Sequence, residues 1–288
     1  MATIASRLTS TGTLLVNGTI DEITQSTIST NVNTVLSSLF DEVSNSGTSV
    51  ARRDCANGTV QLSGIFDEFT GAPVIDGNLT LWVDAGQTAS YSGSGSTWSD
   101  LSGNGTSFTL VNSPTFNSSD SGGSIRFTSA SSQYGTGSGI PVGLTAYTKS
   151  IWFKLASITD NNLLSSDTGG HFMFFGGTSK LYCGHTAWAG FPTTYPSTAN
   201  FSIGVWYNVC LTFDTTNGMT LYINGVQDST YTVQKTGPSG TGQCNIGCYG
   251  AGGNLLNGTI AQAMIYNRVL TADQVLQNFN ALRRRYNI

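Results

Sequence analysis

Residues 206–226 read WYNVCLTFDTTNGMTLYINGV. Tyr207, Val209, Leu211 and Phe213 recur at every second position, the period of a strand with one buried face. Asn217-Gly218 then interrupts the run, the apolar residues resume from Leu221 to Ile223, and Asn224-Gly225 follows at once. An Asn-Gly pair tolerates the positive φ of a tight hairpin turn, so the stretch predicts strand, turn, strand, turn. The same alternation recurs where Leu79, Leu81 and Val83 interleave with Thr80, Trp82 and Asp84, and again at Ile151, Phe153 and Leu155. One helix closes the chain: Thr271 is placed to cap it, Gln274 to reach back as a capping box, and Leu270 and Val275 to form a hydrophobic staple. Val275, Leu276, Phe279 and Leu282 share its apolar face, and Arg283 to Arg285 suit the negative end of its dipole. Many strands and one helix predict an all-β sandwich.

Composition agrees. Charged residues are 10% of the 288, against about 25% in ordinary soluble domains, and Gly reaches 35, as a turn-rich β protein requires. The net charge of −4, with the only dense basic cluster at Arg283 to Arg285, speaks against nucleic-acid binding. No stretch approaches the ~20 apolar residues of a membrane span, and MATIASRLTSTGTLL lacks the features of a secretory signal, so neither membrane insertion nor export is expected. The five cysteines are odd in number and form no CxxC pair, which favours free thiols over a disulfide framework or a zinc site.

The first 76 residues have a different texture. GTIDEIT, SLFDEVS and GIFDEFT start at Gly18, Ser38 and Gly64 and repeat an Asp-Glu pair between apolar residues. Asp21 and Glu22, Phe40 with Asp41 and Glu42, and Phe66 with Asp67 and Glu68 are the candidate contacts of this β-rich arm. Short strand-turn units bury little surface alone and are expected to need neighbours, either copies of themselves or a partner surface. The expected organisation is an arm over 1–76 and a sandwich over 78–288.

Three segments carry a family resemblance. LWVDAG with TWSDLSGNGTSFTL, KSIWFKL with WYNVCLTFDTTNGMTLYINGV, and LLNGTIAQAMIYNRVLTADQVLQNFNAL resemble, in order, the opening strand and turn, the tryptophan strand and hairpin, and the closing strand and helix of laminin G-like, concanavalin A-like jelly rolls. The resemblance implies two packed antiparallel sheets and a fold used for carbohydrate binding, adhesion and, in some relatives, glycoside hydrolysis. The opening MATIASRLTSTGTLLVNGT and the Phe-Asp-Glu units resemble structural proteins of tailed bacteriophages of marine bacteria.

Hydrolysis on this fold needs two flanking carboxylates, which relatives supply as Glu-x-Asp-x-Glu on one strand face. The chain has three Glu, Glu22, Glu42 and Glu68, all in the arm, so no enzyme is expected. His185 with Trp188, Phe191 and Tyr195 forms the candidate ligand-binding loop, whose aromatics either stack on sugar rings or plug one end of the sandwich. His171 reads as a strand residue with a satisfied hydrogen bond. Some relatives hold calcium at loop ends, for which Asp100 and Asn104 are the candidate ligands; the same Asp-x-Ser-Gly-Asn-Gly is an Asx turn, the preferred reading. Together these features lead us to expect a non-enzymatic virion protein, either a capsid decoration or fibre or a tail fibre. Made in the host cytoplasm and displayed on the particle exterior, it would attach to other virion proteins through the arm. Expected assembly is homo-oligomeric, with a trimer by analogy to phage fibres, and the sandwich would meet a cell-surface glycan or protein. A free lectin or a degenerate glycosidase is the alternative.

Overall fold

The computed structural model describes the backbone at 5–8 and 14–17, Pro73, and residues 77–104, 107–166, 170–185, 196–233, 235–250 and 252–288. The chain divides into two units, Met1–Phe69 and Thr70–Ile288. In the first, β1 (Ala5–Leu8) and β2 (Leu14–Asn17) pair antiparallel, Ala5 opposite Asn17 and Leu8 opposite Leu14. The three Asp-Glu repeats lie outside the described residues.

The second unit runs through β3 (Leu79–Asp84), β4 (Thr97–Trp98), β5 (Phe108–Val111), β6 (Thr115–Asn117), β7 (Ser124–Phe127), β8 (Tyr134–Ser138), β9 (Ala146–Leu155), β10 (Asp160–Asn162) and β11 (Leu164–Ser165). It continues through β12 (His171–Gly176), β13 (Leu181–His185), β14 (Trp206–Asp214), β15 (Gly218–Ile223), β16 (Val226–Tyr231), β17 (Gln243–Ile246) and β18 (Gly258–Tyr266) to helix α1 (Ala272–Leu282) and a 3-10 turn at Arg283–Tyr286. An eight-stranded sheet has the order β16-β15-β14-β9-β18-β7-β6, with β3 also on β18; β11-β17-β8-β5-β4 and β10-β12-β13 form two smaller sheets. Connecting distant strands in antiparallel pairs is the signature of a jelly-roll sandwich.

The expected alternation decides which side chains enter the core. Ile151, Phe153 and Leu155 of β9 and Val209, Leu211 and Phe213 of β14 face inward, where they meet Trp98 and Ile246 of the five-stranded sheet and Met173, Phe175 and Leu181 of the three-stranded one. Full burial of each such side chain is worth about 1.5–3 kcal/mol, so this interior outweighs any single surface contact. Asn224 and Gly225 adopt φ of 50° and 77°, the two positive values of a tight β15–β16 hairpin. One expected alternation is broken: Leu79 joins an outer cluster with Met264 and Tyr266 while Leu81 and Val83 stay inside. A register shift on the β3–β18 ladder between Ile265 and Tyr266 accounts for it, since an unmatched residue turns the strand over.

The outer face of the large sheet is covered by α1, which starts as the sequence predicts. Thr271 Oγ1 accepts from the Gln274 N–H at 3.3 Å, and Gln274 Oε1 accepts from the Thr271 N–H at 3.2 Å. Trp152 lies stacked against Phe279 and Tyr286, with centroids 5.6 and 3.9 Å away. The arginines expected in the last turn of α1 fall instead in the 3-10 turn that follows it, because the α-helix ends at Leu282. Arg285 pairs with the buried Asp84 carboxylate at 2.6 Å and donates to the carbonyls of Ser121 and Gly123, which fastens the last residues to the first strand of the sandwich. Among the described residues no helix is long and apolar enough to cross a membrane.

Candidate ligand-binding groove

Because Phe153 and Leu155 enter the core, Lys154 between them points outward. Register then builds a row across four strands: Trp206 is opposite Lys154, Lys154 opposite Thr259, and Thr259 opposite Arg126. At one end of the row Tyr286 covers Trp206, at 4.8 Å between centroids, and beside Lys154 and Arg126, both half-buried, the surface opens. The opening is a shallow groove of about 330 Å3 lined by Asp120, Arg126, Lys154, Thr259, Ile203 and Gly204.

Each polar group here has a defined setting. Both Asp120 carboxylate oxygens accept from Lys154 Nζ at 2.8 Å, and Oδ1 also accepts from Trp206 Nε1 at 3.3 Å. The Lys154 ammonium sits 4.9 Å over the Trp206 ring. Arg126 donates from one terminal nitrogen to the Phe127 carbonyl at 2.9 Å and from the other to Asn257 Oδ1 at 2.8 Å. Burial lowers its pKa from the usual arginine value. Ile203, 55% exposed, adds an apolar wall. This arrangement can donate and accept hydrogen bonds and cover an apolar ring face; it holds no nucleophile hydrogen-bonded to a base.

A second polar cluster lies inside the sandwich, closed to solvent. Lys149 shares the inward face of β9, and its Nζ donates to the carbonyls of Phe172 at 2.9 Å and Gly184 at 3.1 Å, spanning from the large sheet to the backbone of the three-stranded one. Burial pushes its pKa down to about 8, against smaller opposing effects of Cys183 and Cys244. His171 and His185 face each other across β12 and β13, with ring centroids 5.7 Å apart. Burial holds His171 well below the usual histidine range and pushes His185 down to about 4, so both are neutral at pH 7. His171 Nε2–H donates to the Pro141 carbonyl at 2.5 Å, and its Nδ1 is buried without a partner.

The residues singled out from sequence fall as follows. His185 is 3% exposed, its Nε2 against the Thr236 carbonyl at 2.6 Å and its Nδ1 against the Tyr147 hydroxyl at 2.9 Å. Trp188, Phe191 and Tyr195 lie outside the described residues, as do Asp21, Glu22, Phe40, Asp41, Glu42, Phe66, Asp67 and Glu68. Asp100 organises a turn: its Oδ1 accepts from the N–H groups of Trp82 and Ser102, and its Oδ2 from Ser102 Oγ and the Asn104 N–H. Asn104 Nδ2 donates to the Leu79 carbonyl at 2.8 Å. Among the described residues no three His, Cys, Asp or Glu side chains are grouped to hold a metal ion. The four described cysteines, Cys183, Cys210, Cys244 and Cys248, are buried free thiols.

Sequence reasoning missed Arg126, Lys154 and Asp120, because no local spacing announces a row assembled from strands so far apart in the chain. Lys149 had a signal: in KSIWFKL it has the same parity as Ile151 and Phe153.

A family model described as the concanavalin A-like lectin/glucanases superfamily matches residues 128–276. Among solved structures, domain 4 of an extracellular arabinanase from Geobacillus stearothermophilus, in complex with arabinotriose, is similar over 70% of this chain and 98% of its own, at 18% identity and a TM-score of 0.54. The binding domain of botulinum neurotoxin DC, in complex with SialylT, is similar over 73% of this chain and 52% of its own, at 14% identity and a TM-score of 0.52. A mutant Trypanosoma rangeli sialidase displaying trans-sialidase activity is similar over 75% of this chain and 35% of its own, at 16% identity and a TM-score of 0.53. The likeness thus spans about half of the neurotoxin domain and a third of the sialidase, and at these identities it is a likeness of fold. No curated protein matches the sequence.

Proposed function

From the chain's membership of the concanavalin A-like lectin/glucanase superfamily, we propose that its sandwich is a non-catalytic carbohydrate-binding module, displayed on the exterior of a bacteriophage particle and anchored there by the N-terminal arm. One observation carries the non-catalytic part: all three glutamates, Glu22, Glu42 and Glu68, precede the sandwich, which therefore has no Glu to serve as acid or nucleophile. The groove of Arg126, Lys154, Asp120 and Ile203 supports binding, since sugar recognition asks for a few fixed polar groups beside an apolar surface. Two fold neighbours were solved with an oligosaccharide or a sialylated ligand in place, and both are parts of larger proteins, which supports a binding role for the fold. The particle role rests on the resemblance of the opening segment and the Asp-Glu repeats. Attachment of these repeats to other virion proteins, and a trimeric assembly, complete the reading.

A glycan array probed with the full-length protein tests the first part. Saturable binding to a defined glycan, with no reducing sugar released from it, is expected; release of reducing sugar would overturn the non-catalytic reading. Proteomics of purified particles tests the second: a protein that binds glycans but is absent from particles is a free lectin.

A further inference from the structure

Resting on the glycan-binding reading above, the charges in the groove specify the class of sugar. Two cations and one carboxylate line it, and the carboxylate is taken: Asp120 holds Lys154 with both oxygens. Arg126 has no carboxylate partner among the described residues; its partners there are a backbone carbonyl and a side-chain amide. A guanidinium has five N–H donors in a fixed fork, so two are used and three have no partner among the described residues. The fork is also held still. Asn257, which accepts from it, is fixed in turn by its own N–H donating to Asn161 Oδ1 at 2.6 Å and its Nδ2 donating to Ser157 Oγ at 3.3 Å. A half-buried, immobilised cation with open donors is a preorganised anion receptor, since the ordering cost falls before the ligand arrives.

We infer that the groove binds an acidic sugar, with the sugar carboxylate on the open donors of Arg126 and its ring against Ile203. A small free anion would use Arg126 alone and gain nothing from Ile203 or from the length of the row, which spans roughly 10 Å between the Arg126 and Lys154 strands at the usual strand spacing. A neutral sugar would leave the Arg126 charge unmatched.

Calorimetry on the full-length protein with matched pairs tests this: oligogalacturonate against its methyl ester, sialyllactose against lactose, with acetate as the small anion. The acid member of at least one pair is expected to bind at least about tenfold more tightly than its neutral partner, to weaken with salt, and to outcompete acetate. Arg126→Gln should erase the difference between partners. Asp120→Asn, which releases Lys154 from its carboxylate, should tighten binding of the acid member several-fold, and it serves as an independent readout should Arg126→Gln not fold. Equal binding of acid and neutral partners, or an acid preference that survives Arg126→Gln, overturns the inference and leaves the glycan-binding reading standing. No binding by any of these sugars or by a broad neutral array overturns both.

Discussion

Lys149 is the residue that least resembles its surroundings. Its ammonium lies on the core face between the two layers, held by two carbonyls and, among the described residues, by no carboxylate. Because burial lowers its pKa from 10.5 to about 8, the unfolded chain holds this proton more tightly than the native protein between those values. The stability contributed by the neutral amine is therefore complete above pH 10.5 and lost as pH falls to about 8, an effect of about 3 kcal/mol. Raised thiol pKa values oppose this trend in the whole protein, since unfolding lets those thiols ionise. The comparison with Lys149→Met removes the desolvation part of that trend, which is the larger part, and leaves only the smaller effect of the Lys149 charge on the Cys183 and Cys244 thiols. The difference in unfolding free energy between wild type and variant should move by about 3 kcal/mol in favour of wild type from pH 8 to 10.5, as denaturant titrations would measure. A flat difference would mean that the ammonium is hydrated. The histidines act in the acid range. His185 is pushed down to about 4, so its contribution is present above pH 6.5 and disappears as pH falls toward 4, and His185→Gln should flatten the acid loss over that window.

At the scale of elements, α1 is where sequence and structure agree most closely. Its capping box is local, formed by residues three apart, which is why it could be read directly; Thr271→Ala should cost about 1 kcal/mol in thermal or denaturant unfolding. The two hairpins around β15 were legible for the same reason: alternation and Asn-Gly turns are properties of neighbours in the chain. What Arg285 does was not legible. Its partner Asp84 is 201 residues away, and only the packing of the 3-10 turn against β3 brings them together. Asp84 is 1% exposed, so removing its partner strands a buried carboxylate. Arg285→Met should therefore cost about 3–5 kcal/mol, and Asp84→Asn in the same chain should recover part of it. An equal loss from both single changes with no recovery in the pair would mean that the ion pair is not what holds the turn. The groove was illegible for a related reason. Arg126, Lys154 and Thr259 become neighbours only once the strand order β9-β18-β7 exists, and strand order is not written in any local pattern.

At the scale of the whole molecule, the described core is drawn entirely from the sandwich. Among the described residues the three apolar clusters begin at Leu79, and the last turn is fastened by Arg285 to Asp84 within the same unit. The arm has a different composition. Its three Asp-Glu pairs sit between Ile, Leu, Val or Phe, offering apolar surface to bury and carboxylates to meet N–H groups or basic side chains on a partner. These features support the division of labour proposed above, which gives attachment and assembly to the arm and recognition to the sandwich. Deleting residues 1–76 should accordingly leave a soluble protein with a β-dominated circular dichroism spectrum, a cooperative melt and undiminished glycan binding. The truncated protein should sediment as a monomer and fail to enter particles when supplied during assembly, because the shared surface has been removed. Retention of the spectrum, the melt and glycan binding, with loss of self-association and of particle entry, would support the division. Incorporation at the copy number of the full-length protein would instead move the attachment surface onto the sandwich and leave the Asp-Glu repeats without the role assigned to them.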